Sequence, residues 1–207
     1  MSEPVSEPIA PVLILASASP RRVELLRQIG VVPRVLPADI DERRLPGESI
    51  EHCVQRLARS KAIQVRQRLK GADVSIPVLG ADTVVVVDDD MLGKPRDRAD
   101  ALAMLQRLSA RSHCVLSAVA LASATGVNQA LSRSEVCFRA LSAQECADYW
   151  DSGEPQGKAG AYAIQGLAAV FIQSLNGSYS GVMGLPLYET AQLLSAASIP
   201  LMSARRQ

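Results

Sequence analysis

The class of fold is decided by the run Val78-Leu79-Gly80-Ala81-Asp82-Thr83-Val84-Val85-Val86-Val87. Its β-branched residues favour a strand, predicted over 76–87, and Asp88-Asp89-Asp90 resembles a solvated turn into a short return strand over 91–93. A carboxylate inside such an apolar run is costly unless it is hydrogen-bonded, binds a cation or lies in a cleft. We therefore predict that Asp82 is a functional carboxylate. Gly80 beside it predicts close approach of a ligand or a bulged backbone.

Helices and strands alternate on both sides of this run. Upstream, a strand is predicted over 12–16, a helix over 21–29 that begins at Ser19-Pro20 and ends at Gly30, an extended segment over 31–40, and a helix from Ser49 to about Leu69. Downstream, a helix is predicted to begin at the cap Asp97, and two antiparallel strands are predicted over 113–123 and 128–141. Ser142 and Glu145 predict a capping box for a helix over 143–152. A strand is then predicted over 167–175, and the last helix over 187–197.

This order predicts an α/β or α+β domain with a mixed sheet and flanking helices. A single domain is predicted over 11–200. The two prolines and two glutamates in residues 1–10 predict a disordered tail, and residues 201–207 are assigned as a C-terminal tail.

Composition excludes several classes of partner. Hydrophobic residues make up 48% of the chain, and a net charge of +1 leaves no global field that would hold a polyanion or an acidic membrane surface. No uncharged apolar run approaches the ~20 residues that span a bilayer. The four cysteines fit neither a redox pair nor a zinc module, and His52-Cys53 would point to different sides of a helix. All four cysteines are predicted to be buried thiols, and the protein is predicted to be in a reducing, cytoplasmic location.

The segment Ser17-Ala18-Ser19-Pro20-Arg21-Arg22 is the first candidate for ligand binding. It places two hydroxyls and two guanidinium groups at a helix N-terminus, where unpaired N–H groups and the helix dipole attract anions. The alternative is a helix cap with two solvated arginines, and spacing alone does not decide between them.

Other polar residues are scattered: Asp41-Glu42, Lys61, Lys94, and Lys158 with Gln165. Each is a weak signal alone, and no P-loop, dinucleotide fingerprint or serine-hydrolase elbow is present. Carboxylates combined with dispersed cations suit phosphoryl chemistry, because a triphosphate needs positive charge, a divalent metal needs carboxylates, and attacking water needs a base.

Five motifs together resemble the Maf family of nucleoside triphosphate pyrophosphatases over roughly residues 12–198. They are Leu15-Ala16-Ser17-Ala18-Ser19-Pro20-Arg21-Arg22, Ala81-Asp82-Thr83-Val84, Gly93-Lys94-Pro95, Lys158-Ala159-Gly160-Ala161-Tyr162 and Gly177-Ser178-Tyr179. The resemblance implies an elongated, two-lobed α/β domain with a central cleft. It also implies a homodimer and a divalent cation, Mg²⁺, Mn²⁺ or Co²⁺.

The implied activity is hydrolysis of dTTP, UTP and modified pyrimidine nucleotides to the monophosphate and pyrophosphate. The branch acting on these pyrimidines is indicated by the segments 161–166 and 177–187. The alternative is a nucleotide-binding regulatory protein that acts in cell-division arrest. Direct binding of nucleic acid is not expected, because aromatic residues make up 3% of the chain and the charge is nearly balanced.

The resemblance also implies roles for individual residues. Asp82 corresponds to the base that activates water and, with Glu42, to a metal ligand. Arg21, Thr83 and Gln165 match positions associated with substrate selectivity, and Ser17, Arg22, Lys61 and Lys94 match polar positions around the phosphates. Two residues depart from the family pattern: Asp41 precedes Glu42 where a second glutamate is usual, and Ala163 replaces a common glycine.

Overall fold

The computed structural model describes residues 12–202, within which seven strands form one mixed sheet. They are β1 (Ile14–Leu15), β2 (Arg34–Val35), β3 (Val78–Val87), β4 (Asp90–Leu92), β5 (Ser112–Ser123), β6 (Gly126–Phe138) and β7 (Ile172–Asn176). The strand order is β2-β1-β3-β5-β6-β7, and β4 pairs with β3. β1 runs parallel to β2 and β3, whereas the remaining pairs are antiparallel.

Six α-helices within the same residues flank the sheet: α1 (Pro20–Gln28), α2 (Ile50–Arg68), α3 (Arg98–Leu108), α4 (Ala143–Asp151), α5 (Tyr179–Met183) and α6 (Leu187–Ala196). The predicted caps at Ser49 and Asp97 accept backbone N–H groups, and the capping box of Ser142 and Glu145 is complete. The prediction of a mixed α/β fold with flanking helices is confirmed.

At Gly80 the backbones of α2 and β3 are in close contact. A Cβ atom there would overlap the Ala58 carbonyl oxygen and lie 2.7 Å from the Ala62 nitrogen. The close approach predicted from the sequence therefore exists, but the neighbour is a helix rather than a ligand. Because α2 is drawn onto β3 at this point, Lys61 on α2 comes next to Asp82 on β3.

Several predicted boundaries differ from the structure. Only Ile14–Leu15 and Arg34–Val35 pair as strands within the first two extended segments. The predicted strand over 167–175 is wrong in its first half, which forms a 3₁₀ turn, Leu167–Phe171, because its leading N–H groups bond to the Glu154 carboxylate. The short helix α5 was not predicted.

The four cysteines are all free thiols, but they are not equally covered. Cys53 and Cys146 are buried as predicted. The prediction is wrong for Cys114 and Cys137, which are half-buried: Cys114 lies opposite the exposed Glu135, and the Cys137 Sγ lies near the Gln173 side chain on the edge strand β7.

Two large apolar clusters lie in different parts of the molecule. One includes Leu105, Phe138 and Tyr162, with residues of α3 and α4, and the other includes Leu15, Leu26 and Leu194, with residues of α1 and α6. Segments from both parts line the cleft described next. Within residues 12–202, no helix is both long enough and apolar enough to cross a membrane. The predicted tail over 1–10 lies outside the described residues, and so do residues 203–207 of the predicted tail over 201–207.

Candidate active site

A cleft of about 590 Å³ brings together eight of the nine residues to which the resemblance gives a role. They come from different elements: Ser17, Arg21 and Arg22 from the turn into α1 and its first residues, Glu42 from the loop after β2, Lys61 from α2, Asp82 and Thr83 from β3, and Lys94 from the loop after β4. Gln165 is exposed and is not among the described residues that line this cleft.

Asp82, Lys61 and Glu42 form the acidic centre of the cleft. The Lys61 ammonium lies 2.6 Å from Asp82 Oδ1 and 2.7 Å from Glu42 Oε1, so it bridges the two carboxylates. The side chains of Lys61 and Asp82 are only 10% and 13% exposed, whereas that of Glu42 is 55% exposed. A buried charge is costly unless it is paired, and the Lys61 ammonium is the partner that the sequence analysis required for Asp82.

Burial is the main influence on Asp82 and raises the pKa of its carboxyl above the ordinary value, although Lys61 and Arg22 act in the opposite direction. For Glu42, burial also opposes ionisation, but the hydrogen bond and charge of Lys61, together with Lys94 and Arg22, lower its pKa overall. The surroundings therefore shift the two carboxylates in opposite directions: the pKa of Asp82 lies above its ordinary value, and that of Glu42 lies below its own.

The two arginines in the first turn of α1 are held by main-chain carbonyl groups rather than by solvent alone. Arg21 Nε donates to the Met183 oxygen at 3.0 Å, and Arg22 Nε donates to the Gly184 oxygen at 2.8 Å. Arg22 Nη1 also donates to Ser17 Oγ at 2.9 Å. These bonds fix each guanidinium group and leave N–H groups available for an anion, so the alternative of a cap with solvated arginines is wrong.

Thr83 is fixed from beneath by Ser117, a buried residue of β5 that the sequence did not single out. Their hydroxyl oxygens are 2.9 Å apart, and Ser117 Oγ donates to the Gly181 oxygen at 2.6 Å. Thr83 Oγ1 also contacts the Gly184 oxygen at 3.3 Å. Ser117 could not be predicted from the local sequence, because its partners are the Thr83 hydroxyl, 34 residues earlier, and the Gly181 carbonyl, 64 residues later.

The charges that line the cleft are predominantly positive. Five of the lining residues are cationic and two are acidic: Arg21, Arg22, Lys61, Lys94 and Lys158 against Glu42 and Asp82. Clefts lined by one sign of charge concentrate ligands of the opposite sign. An anion as highly charged as a triphosphate fits this lining, although the whole chain carries a net charge of only +1.

A divalent cation fits the same centre when the ligand supplies further oxygens. Among residues 12–202, no group of three or more His, Cys, Asp or Glu side chains could hold a metal alone. Two carboxylates nevertheless converge on one point at Lys61, and Mg²⁺ is commonly held by one or two carboxylates plus substrate phosphates and waters. Asp41 does not join them, because its exposed carboxylate pairs with Arg43, which lowers its pKa to about 2.

Comparison with known proteins yields one family and many relatives. A family model described as Maf-like protein matches residues 12–197. A dTTP/UTP pyrophosphatase of Saccharophagus degradans is 49% identical over 189 residues, which is 91% of this chain and 90% of that protein. Proteins of the same name from Pseudoalteromonas atlantica and Bordetella avium are each 51% identical, over 90% and 92% of this chain and 97% and 98% of their own lengths.

Proposed function

This chain belongs to the family of Maf-like proteins, and from that premise we propose that it hydrolyses dTTP and UTP, and modified pyrimidine nucleotides, to the monophosphate and pyrophosphate. The observation that carries the proposal is the paired, 13% exposed carboxylate of Asp82 inside a predominantly cationic cleft. The names of relatives about 50% identical over most of the chain support dTTP and UTP as substrates.

Asp82 is proposed as the general base. A water molecule in the cleft would give its proton to the Asp82 carboxylate while the water oxygen bonds to the α-phosphorus. The bond from the α-phosphorus to the oxygen that bridges it to the β-phosphorus would break, and pyrophosphate would leave. The raised pKa suits this role, because a base works best when its pKa approaches the working pH.

The cationic side chains would neutralise the charge that builds on the leaving pyrophosphate. Arg21 and Arg22 are already oriented by main-chain carbonyls, so little reorganisation is needed when phosphate oxygens arrive. Lys61 would hold Asp82 and Glu42 in place between turnovers.

We further propose that Glu42 and Asp82 hold a divalent cation, Mg²⁺, Mn²⁺ or Co²⁺, when the nucleotide is bound. Such an ion would stabilise negative charge on the phosphates and lower the pKa of bound water. Arg21, Thr83 and Gln165 remain the proposed determinants of the nucleobase. A cytoplasmic location and a homodimer also remain predictions, the former supported by four free thiols.

The test is a product analysis with the purified chain, each of the three cations and a panel of nucleoside triphosphates. In water enriched in ¹⁸O, we expect UTP to give UMP that carries the label and pyrophosphate that does not. Label in pyrophosphate would place the attack on the β-phosphorus and contradict the mechanism. Tight binding of UTP without any pyrophosphate would favour the alternative, a nucleotide-binding regulatory protein that acts in cell-division arrest.

A further inference from the structure

Glu154 lies just beyond the end of α4 and outside the cleft, yet its carboxylate joins α4 to the 3₁₀ turn Leu167–Phe171. It accepts the Tyr149 hydroxyl at 2.7 Å, the Leu167 N–H at 3.0 Å and the Ala168 N–H at 3.4 Å. Neither the sequence motifs nor the proposed chemistry gives it a role. Three donors converging on one half-buried carboxylate is more than a surface residue requires.

Tyr149 extends this junction to the middle of the loop. It is 4% exposed, and its hydroxyl oxygen accepts the buried Ala163 N–H at 3.1 Å while it donates to Glu154. Burial and the Glu154 hydrogen bond raise the pKa of Tyr149, so the hydroxyl keeps its proton and remains a donor. One carboxylate and one hydroxyl therefore hold residues 163, 167 and 168 against the end of α4.

Gly166 shows how closely the chain passes this carboxylate. A Cβ atom built at Gly166 would overlap the Glu154 carboxylate. The glycine is thus explained by close approach of backbone to a side chain, and its φ is negative, so conformational freedom is not the reason.

The loop closed by this junction contains the wall of the cleft, residues 157–162. Gly157, Lys158, Ala159 and Tyr162 line the cleft. The wall is anchored on its other side, where the Gly160 N–H donates to the Gly93 oxygen at 3.0 Å and a Cβ on Gly160 would press on Val85. Lys158 is the only cation of the wall, and its ammonium donates to the Gln156 oxygen at 3.2 Å.

We propose that Glu154, acting through Tyr149 and the backbone of 166–168, is a positioning residue that holds the wall 157–162 so that Lys158 faces the triphosphate. This inference rests on the proposed function. Burial and the charge of Arg21 lower the pKa of Lys158, whereas the charge of Glu154 raises it. An anion bound beside Lys158 would favour its ammonium form. Asp82, Lys61 and Glu42 lie on other elements, so Glu154 is expected to affect binding more than chemistry.

The test compares Glu154→Ala, the conservative Glu154→Gln and Tyr149→Phe with the control Glu135→Ala, an exposed glutamate of β6 outside the cleft. For Glu154→Ala we expect the KM for UTP to rise by about 10- to 100-fold, with kcat changed by less than about threefold, because a uniform binding contribution is lost. Glu154→Gln keeps one acceptor oxygen and should fall between Glu154→Ala and the wild type. The control should match the wild type.

A second readout does not depend on turnover. Hydrogen exchange of peptides covering 157–168 should be faster in Glu154→Ala and Tyr149→Phe than in the wild type, while α2 and β3 exchange as before. An unchanged KM and unchanged exchange, or a fall in kcat at constant KM, would overturn the proposal. If the wild type released no pyrophosphate, the proposed function would fail, but the exchange rates would still decide whether Glu154 holds the wall.

Discussion

Replacing Gly80 with alanine would place a methyl group between β3 and α2, where the two elements are in backbone contact. The new Cβ would lie 2.7 Å from the Ala62 nitrogen and even closer to the Ala58 oxygen, whereas ordinary contact begins near 3.4 Å. Both neighbours belong to the α2 backbone, so no side chain can turn away. The Ala62 nitrogen alone requires a shift of about 0.7 Å, and the closer Ala58 oxygen requires the helix to move further than that.

The displacement should reduce both stability and activity. Overpacking of this kind costs about 1–3 kcal/mol of unfolding free energy, which lowers the melting temperature of a chain of this size by roughly 2–12 °C. Lys61 belongs to α2 and its ammonium lies 2.6 Å from Asp82, so a shift of the helix would displace Lys61 from Asp82. The rate of pyrophosphate release should therefore also fall, by up to about 100-fold.

Thermal unfolding and a pyrophosphate-release assay would measure the two effects on the same protein. Gly93→Ala is the control for stability, since a Cβ there meets no atom within 4 Å, and its melting temperature should stay near that of the wild type. If the Gly80→Ala chain had the melting temperature of the wild type and kept full activity, close packing at Gly80 would not be what positions the site.

Three further predictions concern His113, Ser117 and Gln165. Burial and the charge of Arg111 lower the pKa of His113 to about 4, so the unfolded chain binds the proton more readily and stability is lost as pH falls from about 6.5 towards 4. Urea unfolding should show a loss of roughly 2 kcal/mol between pH 7 and pH 5 that His113→Gln lacks; an equal slope in both would contradict it. Ser117→Ala leaves the Gly181 carbonyl oxygen without this donor and should cost about 1–3 kcal/mol of unfolding free energy, so an unchanged urea midpoint would count against the contact. Gln165→Ala should lower the ratio of UTP to GTP turnover more than basal hydrolysis, and an unchanged ratio would remove Gln165 from nucleobase recognition.

Local signals predicted much of the fold because they are set by neighbouring residues. The caps at Ser49, Asp97 and Ser142 each act within three residues, and the apolar run that contains Asp82 forms a ten-residue strand. The 3₁₀ turn Leu167–Phe171 was mistaken for a strand, because its conformation depends on a carboxylate 13 residues earlier in the chain.

The site was predictable where a polar residue interrupts an apolar pattern, as Asp82 does. The sequence showed that something approaches Gly80 closely, but only the packing of α2 shows what it is. Ser117 and Glu154 could not be predicted, because their hydrogen bonds to the main chain of Gly181 and Leu167 depend on the fold. The role of Gln165 in substrate selectivity was predicted from the resemblance, and this residue lies on the exposed surface outside the cleft.

The most direct measurement is the rate of pyrophosphate release from UTP by Asp82→Asn, compared with Asp89→Asn in the exposed turn between β3 and β4. The amide cannot accept the proton of the attacking water, so we expect the rate for Asp82→Asn to fall by about 10²- to 10⁴-fold while its circular dichroism spectrum stays that of the folded chain. Asp89→Asn should hydrolyse UTP as the wild type does. A folded Asp82→Asn chain with near-wild-type release of pyrophosphate would contradict the assignment of this carboxylate as the base.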